Sequence, residues 1–122
     1  MVVQLVSEDG EVVRVALEGP VTAQQIEHGE TRPLEDVLGE QWSSRRIALD
    51  MTKAEYIDST AIGWLLSSQK QMSRDGGALV LHSVSPQVQE IFDILRINRV
   101  FSIAANEDEA VQIARGEETP NE

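Results

Sequence analysis

The sequence contains no cysteine, so this chain can form neither a disulfide bond nor a thiolate metal site. Aromatic residues make up only 4% of it, and no apolar run approaches the roughly 20 residues that span a bilayer. The opening residues, Met1 to Leu5, also lack the basic segment and cleavage site of a secretion signal. These absences predict a cytoplasmic protein without membrane insertion.

Basic residues are scarce as well. Ten lysines and arginines oppose twenty-one aspartates and glutamates, which gives a formal net charge of −11. Such a charge repels phosphate backbones and anionic lipids. The basic clusters, Arg45-Arg46 and the pair Arg96 and Arg99, are short and lack interleaved aromatic residues. We interpret them as solvated ends of strands and helices, and we expect no nucleic-acid partner.

The chain has 122 residues, 41% of them apolar and 25% charged, which is typical of one globular domain. We place this domain at residues 1–115 and interpret residues 116–122 as an acidic, disordered tail.

Periodicity and turn signals predict an α/β domain with a mixed sheet that a hairpin opens. The predicted strands are 2–6, 12–17, 46–51, 78–82 and 100–104. Helices are predicted at 59–73, from Pro86 with Ser85 as its cap, and from 107 with Asn106 as its cap. Gly29 and Pro33 divide the region 22–38 into two short helical pieces. Residues 53–56 are interpreted as a connection. The helix after Ser85-Pro86 is predicted to bury Val88, Ile91, Phe92 and Leu95.

The stretch Asp58-Ser59-Thr60 lies between a predicted strand and a predicted helix. Each of these side chains could cap the helix by accepting hydrogen bonds from the first backbone N–H groups. A helix N-terminus also favours a negative charge, so a hydroxyl group in the first turn is well placed to carry a phosphate. The local chemistry by itself favours an ordinary cap.

The segment 47–66, with Gly76-Gly77 and Ser85-Pro86 after it, resembles the STAS domain family, the sulfate transporter and anti-sigma factor antagonist domains. The similarity extends from about Val12 to Ala114 and implies that the helices lie mainly on one face of the sheet. In the antagonist branch a strand leads into an Asp-Ser-Ser/Thr-Gly-Leu-Gly loop, whose first serine is phosphorylated. That serine corresponds to Ser59 here.

One position of this motif departs from the family, because Ala61 replaces a glycine. A backbone with positive φ would resist its methyl group. Either the turn is already helical at Ala61, or the loop differs from that of the family. The region 19–39 also departs from the family pattern, which implies a changed or retuned partner.

The resemblance implies a bacterial regulator of transcription that signals through protein–protein interactions. It would bind an anti-sigma factor serine kinase, phosphorylation of Ser59 would end that binding, and a serine phosphatase would restore it. Thr60 is a second candidate for phosphorylation, and Asp58 is the loop or capping residue. Asp58, Ser59, Thr60, Ala61 and Trp64 are the candidate partner-binding residues. The alternative is a non-phosphorylated STAS scaffold or an accessory subunit of a signalling or transport assembly.

Trp64 projects about 160° from the apolar side of its predicted helix. It could anchor a partner one turn from Ser59, since tryptophan is enriched in interface hot spots. It could equally fold against the first helical region, since tryptophan is seldom fully exposed.

Nothing in the sequence predicts an enzyme, a metal site or a cofactor. His28 and His82 are the two imidazoles, and neither is placed as a base for Ser59. Ser67 and Lys70 have the spacing of a Ser-x-x-Lys motif, but no companion motif accompanies them.

Overall fold

The computed structural model describes residues 2–9, 11–21 and 33–116. Its strands are β1 (Val2–Asp9), β2 (Val12–Val21), β3 (Arg46–Asp50), β4 (Ala54–Ile57), β5 (Ala78–His82) and β6 (Ser102–Ala104). Its α-helices are α1 (Pro33–Leu38), α2 (Ser59–Arg74), α3 (Pro86–Leu95) and α4 (Glu107–Ala114). Short 3-10 helices cover Trp42–Ser44 and Ile97–Arg99. The described helices include none that is long and apolar enough to cross a membrane.

The six strands form one mixed sheet in the order β1-β2-β3-β5-β6, with β4 paired to β2 outside this path. β1 and β2 are the antiparallel hairpin, and the other neighbouring strands are parallel. The predicted α/β class, mixed sheet and opening hairpin are therefore confirmed.

Alternation along the central strands separates two apolar cores, because successive side chains point to opposite faces of a sheet. On one face, Val13 and Val15 of β2 and Leu49 of β3 pack beneath α1, α2 and α3 and form part of the larger core. On the other face, Val12 and Ala48 pack with the buried alanines and valine of α4. The helices thus lie mainly on one face, with α4 alone among the described helices on the other.

Side-chain caps fix where the three longer helices begin. Asp58, Ser85 and Asn106 each accept a hydrogen bond from the backbone N–H three residues later, at 2.9, 3.4 and 2.9 Å respectively. The predicted caps at Ser85 and Asn106 are confirmed. Each side-chain oxygen satisfies a donor that the helix itself leaves unpaired.

Residues 53–56, predicted as a connection, contain most of a strand instead. β4 pairs in parallel with the end of β2, where Gly19 lies opposite Ala54 and Val21 opposite Ile57. β2 is ten residues long and pairs with β3 only as far as Ala16, so its second half is left available for β4. The prediction failed because this strand is defined by a distant neighbour.

The predicted burial of Leu95 is also wrong. Val88 and Phe92 are fully buried and Ile91 is half-buried, but Leu95 is 51% exposed. It is the last residue of α3, and Arg96 after it turns the chain with φ 57° and ψ 37°. Ile97, two residues after Leu95, is 5% exposed and belongs to the core.

The second predicted helical piece of the region 22–38 is α1, in which Leu34 is buried. The first piece and His28 lie outside the described residues, as do residues 117–122 of the predicted tail.

Candidate functional site

The predicted site lies where β4 passes into α2. Ile57 is buried at the end of β4, and Asp58 has extended backbone angles, φ −100° and ψ 176°, which end the strand. Ser59 is the first residue of α2. The register that places Ile57 opposite Val21 also brings Asp58 beside the end of β2.

Asp58 caps α2. Its Oδ1 accepts a hydrogen bond of 2.9 Å from the Ala61 N–H, and its carbonyl oxygen accepts one of 3.0 Å from the Ile62 N–H. The predicted capping role of Asp58 is therefore seen in the structure. The first turn of α2 contains no acidic residue, so Asp58 supplies the nearest carboxylate along the chain.

Ser59 and Thr60 both project to solvent, and the reason is the burial of the two residues that follow them. Ala61 is fully buried and Ile62 is 6% exposed, so they fix the inner side of the first helical turn against the core. The N–H groups of Ser59 and Thr60 belong to the first turn, which has no preceding helical carbonyl to pair with. An anion on either hydroxyl group would meet these donors and the positive end of the helix dipole.

Ala61 lies within α2, so the first of the two sequence-based alternatives is the one observed. The described non-glycine residues with positive φ are Ser83 and Arg96, which excludes a left-handed turn at Ala61. Its methyl group is part of the larger core. Gly63, two residues later, is exposed and has nothing within 4 Å of the position that a Cβ would occupy.

Trp64 is half-buried and packs against the larger core. With Leu34 of α1 and Trp42, it lines a surface pocket of about 160 Å³, and three polar residues of α2 complete the lining, namely Ser67, Ser68 and Gln71. Trp64 is thus folded toward the first helical region, as the second alternative supposed, while the residue remains partly accessible.

A model of the STAS domain family matches residues 4–110 of this chain. The chain belongs to the STAS domain family. The match covers the sheet apart from the first two residues of β1, the first half of α4, and the turn from β4 to α2.

Among related STAS proteins, the anti-sigma-B factor antagonist of Bacillus subtilis is 32% identical over 75 residues, which are 62% of this chain and 67% of that protein. A STAS-domain containing protein of Pseudomonas aeruginosa is 32% identical over 60 residues, which are 49% of this chain and 59% of that protein. The chain therefore matches about two thirds or less of the length of these two relatives.

Solved structures share the same fold. An anti-sigma factor antagonist domain protein from Planctomyces limnophilus superposes with a TM-score of 0.74 at 20% identity and covers 94% of this chain and 99% of its own. The Bacillus cell fate determinant SpoIIAA in its phosphorylated form gives a TM-score of 0.56 at 19% identity, and the matched region is 91% of this chain and 97% of SpoIIAA. The unphosphorylated form of SpoIIAA gives a TM-score of 0.63 at 21% identity, and the matched region is 96% of this chain and 99% of SpoIIAA.

Among the residues that the structure describes, the remaining sequence candidates do not assemble into a second site. His82 is 2% exposed and its Nδ1 lies 2.8 Å from the Ser83 hydroxyl oxygen. Burial lowers the pKa of His82 below its ordinary value, although Asp50 and Glu107 act in the opposite direction. Within the described ranges, no three histidines or carboxylates are grouped to hold a metal ion.

Sequence reasoning missed one surface feature, a group of exposed apolar residues at the end of α3 and just after it. The spacing of Leu95 from Val88 and Phe92 fits one face of a helix and predicts that Leu95 is buried. The exposure of Leu95 accompanies the left-handed conformation of Arg96, and no pattern in the sequence predicts that conformation.

Proposed function

We propose that this protein is an anti-sigma factor antagonist that acts in the cytoplasm and is switched by phosphorylation of Ser59. Without phosphate it binds an anti-sigma factor serine kinase and so releases a sigma factor. Phosphorylation by that kinase ends the binding, and a serine phosphatase restores it. The observation that carries the proposal is the exposed Ser59 hydroxyl group at the first position of α2, directly after a capping aspartate.

The fold can tolerate a phosphate at this position. A phosphoserine carries about −1.5 to −2 charges at neutral pH. The helix N-terminus offsets part of that charge by roughly 0.3–1 kcal/mol, and the nearest opposing carboxylate along the chain, Asp58, is held in the cap by the Ala61 N–H. Because Ser59 is exposed, its modification displaces no core contact.

A partner bound over Ser59 cannot tolerate the same phosphate. Closing a protein surface over it would bury an unpaired dianion next to Asp58, at a cost of several kcal/mol. The modification therefore affects two free energies differently. It makes the free energy of binding much less favourable, and it leaves the free energy of folding nearly unchanged. This difference makes Ser59 suitable as a switch. Thr60 is exposed at the next position and is the second candidate acceptor.

Related proteins support the proposal. The anti-sigma-B factor antagonist of Bacillus subtilis is a relative by sequence, and a protein of the same fold is known in unphosphorylated and phosphorylated forms. Trp64 lies on the same helix, and the accessible part of its ring would extend the partner surface beyond Asp58, Ser59 and Thr60.

Phosphopeptide mass spectrometry tests the switch on protein isolated from its own cells during growth and under stress. We expect phosphate on Ser59 at an occupancy that changes with the condition. A Ser59→Ala chain should carry none, whereas a Thr60→Ala chain should remain phosphorylated. Absence of phosphate under every condition, or phosphate confined to Thr60, would show that Ser59 is not the switch.

Binding is tested with the kinase that phosphorylates the chain. Ser59→Asp should abolish the binding with little change in melting temperature. The matched control is Ser73→Asp, which adds the same charge to an exposed residue near the other end of α2 and should bind like the wild type.

A non-phosphorylated STAS scaffold, or an accessory subunit of a signalling or transport assembly, is the second candidate. The replacement of the family's glycine by Ala61 favours it, since this substitution falls inside the phosphorylation motif. Uniform absence of phosphate together with stable co-purification of a larger assembly is the result that this alternative predicts.

A further inference from the structure

Three large apolar side chains are exposed within seven consecutive residues at the end of α3. Ile94 is 72% exposed, Leu95 51% and Val100 52%. They alternate with Ile97 and Phe101, which are 5% and 4% exposed and belong to the larger core. Contiguous exposed apolar residues of this kind mark interaction surfaces in soluble domains.

The backbone holds these residues in one compact turn. The Arg96 N–H donates to the Asp93 carbonyl over 3.2 Å, the Arg99 N–H to the Arg96 carbonyl over 3.2 Å, and the Val100 N–H to the Ile97 carbonyl over 2.9 Å. Ile97 and Phe101 anchor the inner side of this turn. The outward side chains are therefore presented by a fixed backbone, which lowers the entropy lost when a partner binds.

Two arginines lie among the apolar residues. Arg96 and Arg99 are both exposed, and neither forms an ion pair with any residue that the structure describes. By contrast, Arg14 pairs with Glu107 and Arg45 with Glu8. The charged residues within 94–100 are these two arginines, and the exposed carboxylates of Glu90 and Asp93 lie in the preceding turn of α3.

The conformation of Arg96 is a second, independent observation. Its φ of 57° is in the left-handed region, where a helix ordinarily ends with glycine because a side chain is strained there. Folding alone would favour glycine at this position. Local strain of this kind is characteristic of functional positions, and here it displays a guanidinium group beside Leu95.

We propose that Ile94, Leu95, Arg96, Arg99 and Val100, the 94–100 patch, bind an apolar segment of a partner protein whose flanking residues are acidic. The apolar side chains would bury the partner's apolar residues, and the two arginines would pair with its carboxylates. None of these residues belongs to the turn from β4 to α2 that carries Ser59, so we expect this binding to be independent of the phosphorylation switch.

Charge argues against the other occupants of the patch. A two-fold contact between copies of this chain would bring the same patch together and oppose Arg96 and Arg99 with themselves. An anionic membrane would attract the two arginines but repel a chain of net charge −11. The net charge of −11 also opposes a carboxylate-bearing segment, but a short segment meets only the patch, and charges farther away than roughly 8–10 Å are largely screened by salt.

The proposal is tested by NMR titration of the full chain with a short synthetic peptide that has leucine at every third or fourth position and glutamate elsewhere. We expect shifts of the amides of residues 94–100 and binding that weakens with added salt. A peptide with lysine in place of every glutamate is the control and should leave these amides unchanged. The Ser59→Asp chain should bind the acidic peptide as the wild type does.

Two variants distinguish an effect of the arginines on peptide binding from an effect on stability. Arg96→Gly should raise the melting temperature, because it removes the strain, and yet weaken peptide binding by about two- to fivefold. Arg99→Gln should weaken binding by a similar factor without a stability change. Arg74→Gln, which removes one exposed positive charge at the end of α2, should bind normally.

Several results would overturn the proposal. They are the absence of shifts at residues 94–100 with the acidic peptide, equal binding of the lysine peptide, or normal binding by both Arg96→Gly and Arg99→Gln. Shifts of the same amides that depend on protein concentration without peptide would assign the patch to self-association. Selective shifts with anionic lipid vesicles and none with the peptide would assign it to a membrane surface.

Discussion

The Asp58 side chain accepts a hydrogen bond from the Ala61 N–H over 2.9 Å, and this contact joins the end of β4 to the start of α2. The two residues lie on opposite sides of Ser59 and Thr60. Asp58 fixes the polar end of the turn, while the buried methyl group of Ala61 fixes its apolar side. The hydroxyl groups between them are consequently held in solvent.

Removal of this cap should destabilise the domain. Asp58→Ala is expected to lower the free energy of unfolding by about 0.5–2 kcal/mol, because the Ala61 N–H loses its acceptor. Asp58→Asn keeps a capping oxygen and should cost much less. Urea denaturation of both variants measures the difference, and equal losses would show that the cap contributes no specific stability.

Replacing Ala61 with the family's glycine should destabilise the domain. Ala61→Gly is expected to cost about 1–2 kcal/mol, since it adds backbone entropy in a helix and removes a buried methyl group. Gly63→Ala is the matched control and should stabilise the same helix by about 0.5–1 kcal/mol, because the added Cβ meets no neighbouring atom. Denaturation curves that place the two changes in the opposite order would contradict the helical conformation of Ala61.

The two tryptophans should differ in their contribution to stability. Trp42 is 5% exposed, so Trp42→Ala is expected to cost about 3–5 kcal/mol. Trp64 is half-buried, so Trp64→Ala should cost only about 1–2 kcal/mol while it weakens partner binding. Thermal and chemical denaturation compare the two variants. A loss at Trp64 equal to that at Trp42 would assign Trp64 to the core alone.

Stability should fall under mildly acidic conditions because of His82. Burial lowers its pKa from the ordinary value of 6.5, against the opposing effect of Asp50 and Glu107. Below 6.5 the unfolded chain therefore binds a proton that the folded chain does not, and acid favours unfolding. The stabilising contribution is complete above the unfolded pKa and is lost as the pH falls through the folded pKa.

Denaturation at about pH 7.5 and about pH 5.5 measures this effect in the wild type and in His82→Gln. The wild type should lose stability between the two conditions, and the variant should lose less. An identical pH dependence in both proteins would assign the effect to other groups.

Much of the architecture could be predicted from the chain because it is encoded in local signals. The hairpin, strands β3 and β5 and helix α2 follow from alternation, helical spacing and the glycines at 76 and 77. The caps at Asp58, Ser85 and Asn106 were predictable for the same reason, since a cap and its donor are three residues apart. The position of Ser59 beside such a cap could likewise be predicted from the sequence.

The sequence by itself determined the order of these elements and the chemistry at the start of α2. Only the tertiary structure decided that β4 pairs with the far end of β2, that Ala61 is helical and buried, and that Leu95 is exposed. Each of these outcomes depends on a neighbour distant along the chain or on one left-handed residue. Local patterns specify what a segment can bury, whereas packing selects which of its side chains are buried.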